Sequence, residues 1–416
     1  MSAPSNSYNY AGIGLRSKTV DKPVKPSVFI KYSKHDSNMK EETSEDSANI
    51  GGSTTIIGFD RSGFSCEPEI TDKLRFKEGL EMYCYGALGG DLAGTAVAKD
   101  KVTITPTSGE PYDIQRYKYI WQPSGKRESL PTFTELKGFN LWTTESTPGA
   151  NDVLKPKIID HMKMDELEIK LEAKGDLVIT PKFMADAPVY NVADAEQSKT
   201  FLPKSRNVKA GNVTIYYGSS DVAGSTDDVI KESLVSSTCV KEITIQINNN
   251  LSASECFNEK FGINNADEGN FECTVSGTFE LNRATALEEG AWVTGSKDGH
   301  YATTDTYVRQ IIVDVDGVPI LDKENKNTSL DYALSMRFPR LAINKWEVSE
   351  DGDDSATVEF EGKTILDTGV TDGNVQNAPC IFTCFTDLES LPSPEYLISK
   401  GAVESDVYFN NMPERK

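Results

Sequence analysis

Residues 164–180, MDELEIKLEAKGDLVIT, decide the fold class. Their apolar side chains Leu167, Ile169 and Leu171 alternate with charged ones, and the segment 174–176 (Lys-Gly-Asp) precedes a second apolar run. Alternation with period two is typical of a half-buried β-strand, and a short Gly-containing break is typical of a hairpin turn. The stretch therefore predicts a hairpin with one buried and one polar face. The residues predicted on the polar face are Glu166, Glu168, Lys170 and Glu172.

The same alternation recurs along the chain and predicts a mainly β fold with a few short helices. It returns in residues 243–247 and 271–281, which leaves a tandem duplication open. Asp316-Gly317 favours a type I′ turn between two strands, and the acidic run 350–354 separates two more. Capping residues predict the helices, which are residues 72–85, 252–262 and 394–400.

The charge of the chain excludes several classes of function. Its 416 residues carry 43 Lys and Arg against 64 Asp and Glu, a formal net charge of −21. Such a surface repels phosphate backbones and anionic lipids, which argues against a nucleic-acid binder or a membrane-surface protein. No run approaches the ~20 apolar residues that span a bilayer, and the N-terminus has no apolar signal region. We expect a soluble protein made in a cytoplasm, with seven free cysteines.

Changes in composition predict four segments. They are an extended or disordered N-terminal arm (1–50), a first β-rich half (51–205), a second β-rich half (206–366) and a C-terminal segment with a short helix (367–416). The arm is mostly polar, and polar residues cannot offset the entropy lost on ordering. Within the arm, the apolar residues Val28, Phe29, Ile30 and Tyr32 are candidates for pairing with the sheet edge of another subunit, or they belong to a tail without a role.

No pattern typical of catalysis is present in the sequence. His35 falls in the predicted arm, and His161 and His300 have no nucleophile motif beside them and are expected to be ordinary surface residues. Protease, hydrolase and phosphate-binding motifs are missing. The acidic runs lack the spacing of a calcium loop, and Cys380 and Cys384 lack a second pair of metal ligands. The sequence therefore predicts neither an enzyme nor a cofactor or metal site.

The order of several motifs resembles the tail tube (major tail) proteins of tailed bacteriophages. Residues 130–134, LPTFT, resemble the family's LPS-F-T strand, and residues 163–180 follow where the family has its next hairpin. Residues 242–251, 271–281 and 334–364 resemble later strands, with Gly277 at the position of a family glycine. The N-terminal arm and the segment from Asp367 onward have no counterpart in this resemblance.

The resemblance implies a structural virion protein with a tail-tube-type β-sandwich or barrel, which self-assembles into stacked rings. Its implied partners are further copies of itself, in hexamers or in trimers of duplicated subunits, the tape-measure protein, the tail terminator and baseplate or tip proteins. DNA would pass through an acidic lumen without binding, and the virion tail would be assembled in the host cytoplasm. The lumen would be lined by Glu166, Glu168, Lys170 and Glu172, and rings would be joined by Val28, Phe29, Ile30 and Tyr32.

Two other functions remain open from the sequence. A β-sandwich binding or decoration module of a baseplate, capsid or cell surface would recognise sugar or protein through aromatic loops around Tyr117, Tyr119 and Trp121, or Trp142. An acidic carbohydrate-active enzyme would need two carboxylates that converge on a pocket.

Overall fold

The structure, a computed structural model, describes residues 10–50, 53–90, 92–106, 108–123, 130–138, 156–190, 208–219, 227–232, 234–237, 240–253, 266–281, 292, 307–349, 356–366 and 378–409. In these residues the fold is mainly antiparallel β with four short helices, which confirms the predicted fold class. Seventeen strands form one continuously hydrogen-bonded network, and two short strands pair separately.

The elements are described in chain order, first from β1 to β9 and then from β10 to α4. The first group is β1 (Tyr10–Leu15), β2 (Val28–Ile30), β3 (Lys34–Ile50), β4 (Ser53–Lys73), α1 (Leu80–Leu88), β5 (Thr95–Ile104), β6 (Tyr112–Trp121), β7 (Thr132–Gly138), β8 (Lys157–Glu172) and β9 (Val178–Asp186). The second group is β10 (Val213–Ser219), α2 (Asp227–Glu232), β11 (Val235–Ser237), β12 (Val240–Asn248), β13 (Ser252–Ala253), β14 (Ala266–Asp267), β15 (Glu272–Glu280), β16 (Val308–Leu321), β17 (Asn327–Ser349), β18 (Thr357–Thr364), β19 (Ile381–Thr386), α3 (Pro394–Ser399) and α4 (Glu404–Val407).

The same strand pairings occur twice. In the first repeat, β1 pairs with β2 and β7, β7 with β8, β8 with β9, β9 with β4, and β4 with β3. In the second repeat, β10 pairs with β11 and β16, β16 with β17, β17 with β18, β18 with β15, and β15 with β12. Even a bulge recurs, between Met164 and Glu166 of β8 and between Ile343 and Lys345 of β17.

This repeat differs from the one that the alternation suggested. The pairings relate the β8–β9 hairpin to β17 and β18, not to β12 and β15. Every half-buried strand alternates in the same way, so that alternation cannot identify which strands are equivalent.

The two repeats join through a direct pairing of β8 with β12, over residues 166–172 and 242–248. Eight strands consequently follow one another in the order β3-β4-β9-β8-β12-β15-β18-β17, which we call the eight-stranded sheet. Its apolar face is fully buried at Leu167, Ile245 and Val275. Burial of each such side chain contributes about 1.5–3 kcal/mol, so this face holds the repeats together.

The N-terminal residues differ from the predicted arm, because β1 is buried along its whole length. Ile13 and Leu15 belong to the main core. β2 pairs with β1 of the same chain, with Ile30 opposite Ala11, instead of being free for another subunit. The apolar surface that these strands bury offsets the entropy of ordering them. The four-segment division of the chain remains a prediction.

Asp316-Gly317 lies inside β16 and does not form the predicted turn. A Cβ on Gly317 would lie 2.5 Å from the backbone oxygen of Tyr332, so glycine permits the close approach of β17. The chain turns later, where Oδ1 of Asp322 accepts hydrogen bonds from the backbone N–H groups of Glu324 and Lys326.

The first predicted helix begins later than expected, at Leu80 after Gly79. The carboxylate of Asp72 does not cap it, because it accepts hydrogen bonds from the Lys73 backbone and the Arg75 guanidinium. The first two residues of the helix predicted at 252–262 form strand β13 instead. The remaining residues of that prediction lie outside the described ones.

The C-terminal residues 378–409, which we call the clasp, lie outside both repeats. Its strand β19 pairs with β6 on one side and with β17 on the other. The predicted C-terminal helix is confirmed as α3, where Oγ of Ser393 accepts a hydrogen bond from the N–H of Tyr396. The hairpin β5–β6, inserted in the first repeat, thus meets the tail of the chain.

Candidate assembly surfaces

The four side chains predicted to share a polar face lie together on β8, opposite its buried aliphatic residues. The polar side chains of β12 lie beside them, with Glu242 opposite Glu172 and Gln246 opposite Glu168. The polar face continues across β9, β15, β18 and β17. Its charged residues are Glu166, Glu168, Glu172, Glu242, Glu272, Glu280, Glu347, Glu359 and Glu361, with Lys170, Lys182, Lys345 and Lys363.

Lysines connect the glutamates of neighbouring strands on this face. Nζ of Lys170 lies 2.9 Å from Glu172 and 3.0 Å from Glu242, so it links the two repeats. Hydrogen bonds to these two carboxylates raise the pKa of Lys170. Lys182 pairs with Glu166 at 2.8 Å. Because the pairs are open to water, each adds only about 0–1 kcal/mol, and the excess of glutamate leaves the face acidic.

Beyond the eight-stranded sheet, β3 and β4 continue as a two-stranded ribbon, residues 41–50 and 53–64. Backbone pairing runs from Glu41 opposite Phe64 to Ile50 opposite Ser53. β9 accompanies β4 no further than Ser65, so the ribbon has no other strand beside it in the described part of the chain. A lone two-stranded hairpin is marginally stable in water, and its edges expose unpaired backbone groups. The ribbon is therefore a candidate contact surface that the polar composition of the segment did not predict.

Three charged or titratable side chains lie buried at the base of the ribbon. Nε2 of His35 hydrogen-bonds with Glu135, and Nδ1 of His35 lies 2.6 Å from Nζ of Lys137. An ammonium group can only donate, so Nδ1 accepts and Nε2 carries the proton. Burial lowers the pKa of Lys137. His35 is thus part of an ordered network and not the residue of a disordered arm that was expected.

His161 is not the ordinary surface residue that the sequence suggested. Its Nδ1 lies 2.7 Å from Asp186, and its Nε2 lies 3.2 Å from Asp21. Nearby, Arg16 pairs with Asp160 at 2.8 Å. The network connects the segment after β1 with β8 and β9. His300 lies outside the described residues.

The residues predicted to join rings, Val28, Phe29, Ile30 and Tyr32, lie just before His35 in the chain. Phe29 and Ile30 are buried in the chain, and Val28 packs against the core. The ring of Tyr32 packs edge-on against His35, with 5.3 Å between centroids. Their contact with another ring remains a prediction.

The aromatic residues proposed for a binding loop are in a strand. Tyr119 and Trp121 lie in β6 and are fully buried beside β19. Trp142 lies outside the described residues. A surface cavity of about 340 Å³ is lined by one carboxylate, Glu395, together with Arg16, Lys18 and uncharged residues. It does not offer the two converging carboxylates that a glycosidase needs.

The described ranges contain neither a membrane-spanning helix nor a group of metal ligands. No helix there has the length and apolar composition needed to cross a bilayer. Within the same ranges, no three His, Cys, Asp or Glu side chains are grouped so that they could hold a metal ion.

Comparison with known families gives one match. A family model described as phage tail tube protein matches residues 39–362, which begin within β3, end within β18 and leave out the clasp. No curated protein sequence matches the chain. Proteins of this family are structural components of the tail and not enzymes. The chain therefore belongs to the phage tail tube protein family.

Proposed function

We propose that this chain self-assembles into stacked rings whose lumen conducts viral DNA during ejection. The observation that carries the proposal is the eight-stranded sheet, which has one acidic face and ends in β3 on one side and β17 on the other. A sheet with two open edges is stabilised when further copies pair with both, and a ring closes every edge.

The repeated pairings favour rings of three chains over rings of six. The two repeats follow one another head to tail through β8 and β12, as neighbouring subunits of a ring would. Three such chains would bring six equivalent repeats around one lumen. This arrangement uses the tandem duplication that the sequence left open.

In this proposal the lumen is lined by the polar face with Glu166, Glu168, Lys170 and Glu172. An excess of carboxylates repels the phosphate backbone and lets DNA pass without being held. The lysine pairs across neighbouring strands keep the carboxylates ordered and reduce their mutual repulsion. The tape-measure protein would occupy the same lumen before ejection.

The ribbon would reach the adjacent ring and stack it, supported at its base by the segment with Val28, Phe29, Ile30 and Tyr32. Backbone groups along its edges are available for pairing with a further strand. The tail terminator and the baseplate or tip proteins would cover the two ends of the tube. Assembly would take place in the host cytoplasm.

Two measurements test this proposal: negative-stain electron microscopy of the concentrated protein, and the mass of single intact rings released from the tubes. We expect hollow tubes and rings with the mass of three chains. Rings of six chains would contradict the trimer but keep the tube. A small species of constant mass at every concentration would contradict self-assembly itself.

A further inference from the structure

The matching registers of the two repeats show which residues are equivalent. Leu167 lies opposite Pro181 next to the bulge of β8, and Trp346 lies opposite Phe360 next to the bulge of β17. Leu167 and Trp346 therefore occupy the same position of the repeat.

β3 and β4 of the first repeat can be matched with β12 and β15 of the second in the same way. Asp72 pairs with Ile179 of β9, and Phe279 pairs with Val358 of β18, which aligns β4 with β15. Through their partners, Lys34 of β3 then corresponds to Glu242 of β12, and Met39 corresponds to Ile247.

Among the equivalent residues of this strand edge whose burial is described, Met39 and Ile247 differ most. Ile247 is 0% exposed because it lies opposite Leu167 at the junction inside the chain. Its counterpart Met39 is 51% exposed. An exposed methionine at a position that is fully buried in the other repeat indicates a missing neighbouring strand.

The strand that corresponds to this missing neighbour is β17. Its residues 345–349 pair with β18 on one side and have no strand on the other side among the described residues. The indole N–H of Trp346 is buried there without a hydrogen-bond acceptor in the same residues. A buried N–H of this kind costs free energy unless it finds a partner.

We propose that β17 of one copy pairs with β3 of the next copy, antiparallel and in the register that β8 and β12 have within the chain. Met39 then lies opposite Trp346 of the neighbouring copy, and Asp36 lies opposite its Ser349. The inference rests on the proposed ring and specifies its interface. It buries Met39 and supplies both open edges of the sheet with a partner.

A cysteine pair tests the register. Asp36 and Ser349 lie on strands at opposite edges of the eight-stranded sheet, roughly 34 Å apart within one chain, given about 4.8 Å between neighbouring strands. A disulfide needs a Cβ–Cβ distance of about 4 Å, so a link between Asp36→Cys and Ser349→Cys has to join two copies. We expect oxidation of assembled protein to give covalent oligomers up to the trimer on a non-reducing gel.

The control is the pair Asp36→Cys with Glu347→Cys, shifted by two residues, together with each single variant for background from native thiols. Equal linking of the shifted pair contradicts the register. Rings that form without any link in the matched pair contradict the interface but not the tube. Absence of rings before oxidation contradicts both the interface and the proposed function.

A second variant does not depend on oxidation. Met39→Asp places a charge at the proposed interface, and we expect loss of rings with an unchanged circular dichroism spectrum of the monomer. Val403→Asp is the matched control, because Val403 is 57% exposed, precedes α4 and belongs to neither β3 nor β17. Normal assembly of Met39→Asp, or equal loss in both variants, would overturn the interface.

Discussion

His161 lies in β8 with a φ of 51°, a left-handed conformation that few residues other than glycine, asparagine and aspartate adopt readily. Burial by itself lowers the pKa of His161, but the hydrogen bond to Asp186 and the nearby charge of Asp160 outweigh it, so the pKa is raised above its usual value. The protonated ring therefore stabilises the fold by holding the segment after β1, through Asp21, against β8 and β9.

The raised pKa predicts a pH-dependent contribution to stability. It is fully present below about pH 6.5, the pKa of histidine in an unfolded chain, and is lost as the pH rises through the higher folded pKa. His161→Asn keeps a residue that tolerates the left-handed backbone but removes the charge. We expect the variant to be less stable than the wild type by ~1 kcal/mol in urea unfolding at pH 6, with a smaller difference at pH 8.5.

A difference between wild type and variant that grows with pH would contradict this assignment. Lys345→Ala provides a control, because its ion pairs with Glu347 and Glu359 are exposed. Its effect on stability is expected to be small and to be the same at both pH values.

The sequence could not predict such residue networks. His161 stands beside Asp160 in the sequence, but its two hydrogen-bond partners, Asp186 and Asp21, are distant along the chain. Nothing in local periodicity reports which distant carboxylates meet one imidazole. His35 is a similar case, since Glu135 and Lys137 come from β7.

At the scale of elements, alternation predicted the strands whose two faces have different surroundings. β8, β9 and β12 were predicted for this reason, because their apolar residues face the core and their polar residues face away. β1 is buried on both faces and does not alternate, so no strand was predicted there and its residues were included in the mostly polar arm. The turn predicted at Asp316-Gly317 was wrong. Gly317 is needed for the close contact with β17, and the sequence alone does not distinguish such a glycine from a turn glycine.

The ribbon provides a prediction at the same scale. Replacement of residues 42–63 by Asn-Gly closes β3 and β4 directly after Glu41 and before Phe64 with a turn that suits a hairpin. The ribbon pairs only with itself among the described residues, so we expect the shortened chain to fold and to form single rings. Stacking into tubes should be lost, which electron microscopy and sedimentation would show.

Normal tubes from the shortened chain would remove the ribbon from the stacking contact. The control is a chain in which residues 42–63 are kept and the Met39→Asp change is introduced. That control should lose the rings themselves, so the two variants separate ring closure from ring stacking.

For the whole molecule, the clasp adds a second connection between the repeats. The first is the direct pairing of β8 with β12, and the second runs from β17 through β19 to β6. The hydroxyl of Tyr119 donates to the backbone oxygen of Leu388 at 2.9 Å, and the N–H of Leu391 donates to Leu92 at 2.9 Å. The tail of the chain thus docks mainly on the first repeat, although it follows the second.

The end of the clasp holds the N-terminal segment as well. The backbone N–H of Lys25 donates to Val407 at 2.7 Å, and the N–H of Phe409 donates to Pro23 at 3.0 Å. Capping residues could indicate a short C-terminal helix, but the local sequence could not indicate these contacts, because each joins residues from opposite ends of the chain. The clasp lies outside the residues that match the tail tube family, so the resemblance gave no expectation for it either.

Because the clasp crosses from one repeat to the other, weakening it should separate the repeats before it unfolds them. Thr383 lies in the middle of β19 between Ile120 and Ser335, where proline removes a backbone hydrogen-bond donor and weakens the strand pairing. A protease site placed within residues 191–207 of the full chain allows the connection between the repeats to be cut after folding. Gel filtration of the cut, monomeric protein in increasing urea then reports when the two fragments part.

We expect the fragments of the cut wild type and of Thr383→Val to stay together until they unfold. The fragments of cut Thr383→Pro should part at lower urea, while each keeps its β-sheet signal in circular dichroism. If the proline variant does not fold, Phe385→Ala offers a milder change, because it removes only the ring that Arg116 covers at 4.7 Å. The fragments of wild type and of the weakened variant could instead part at the same urea concentration. That result would mean that the pairing of β8 with β12 alone holds the repeats together. β19 would then merely cover the edges of β6 and β17.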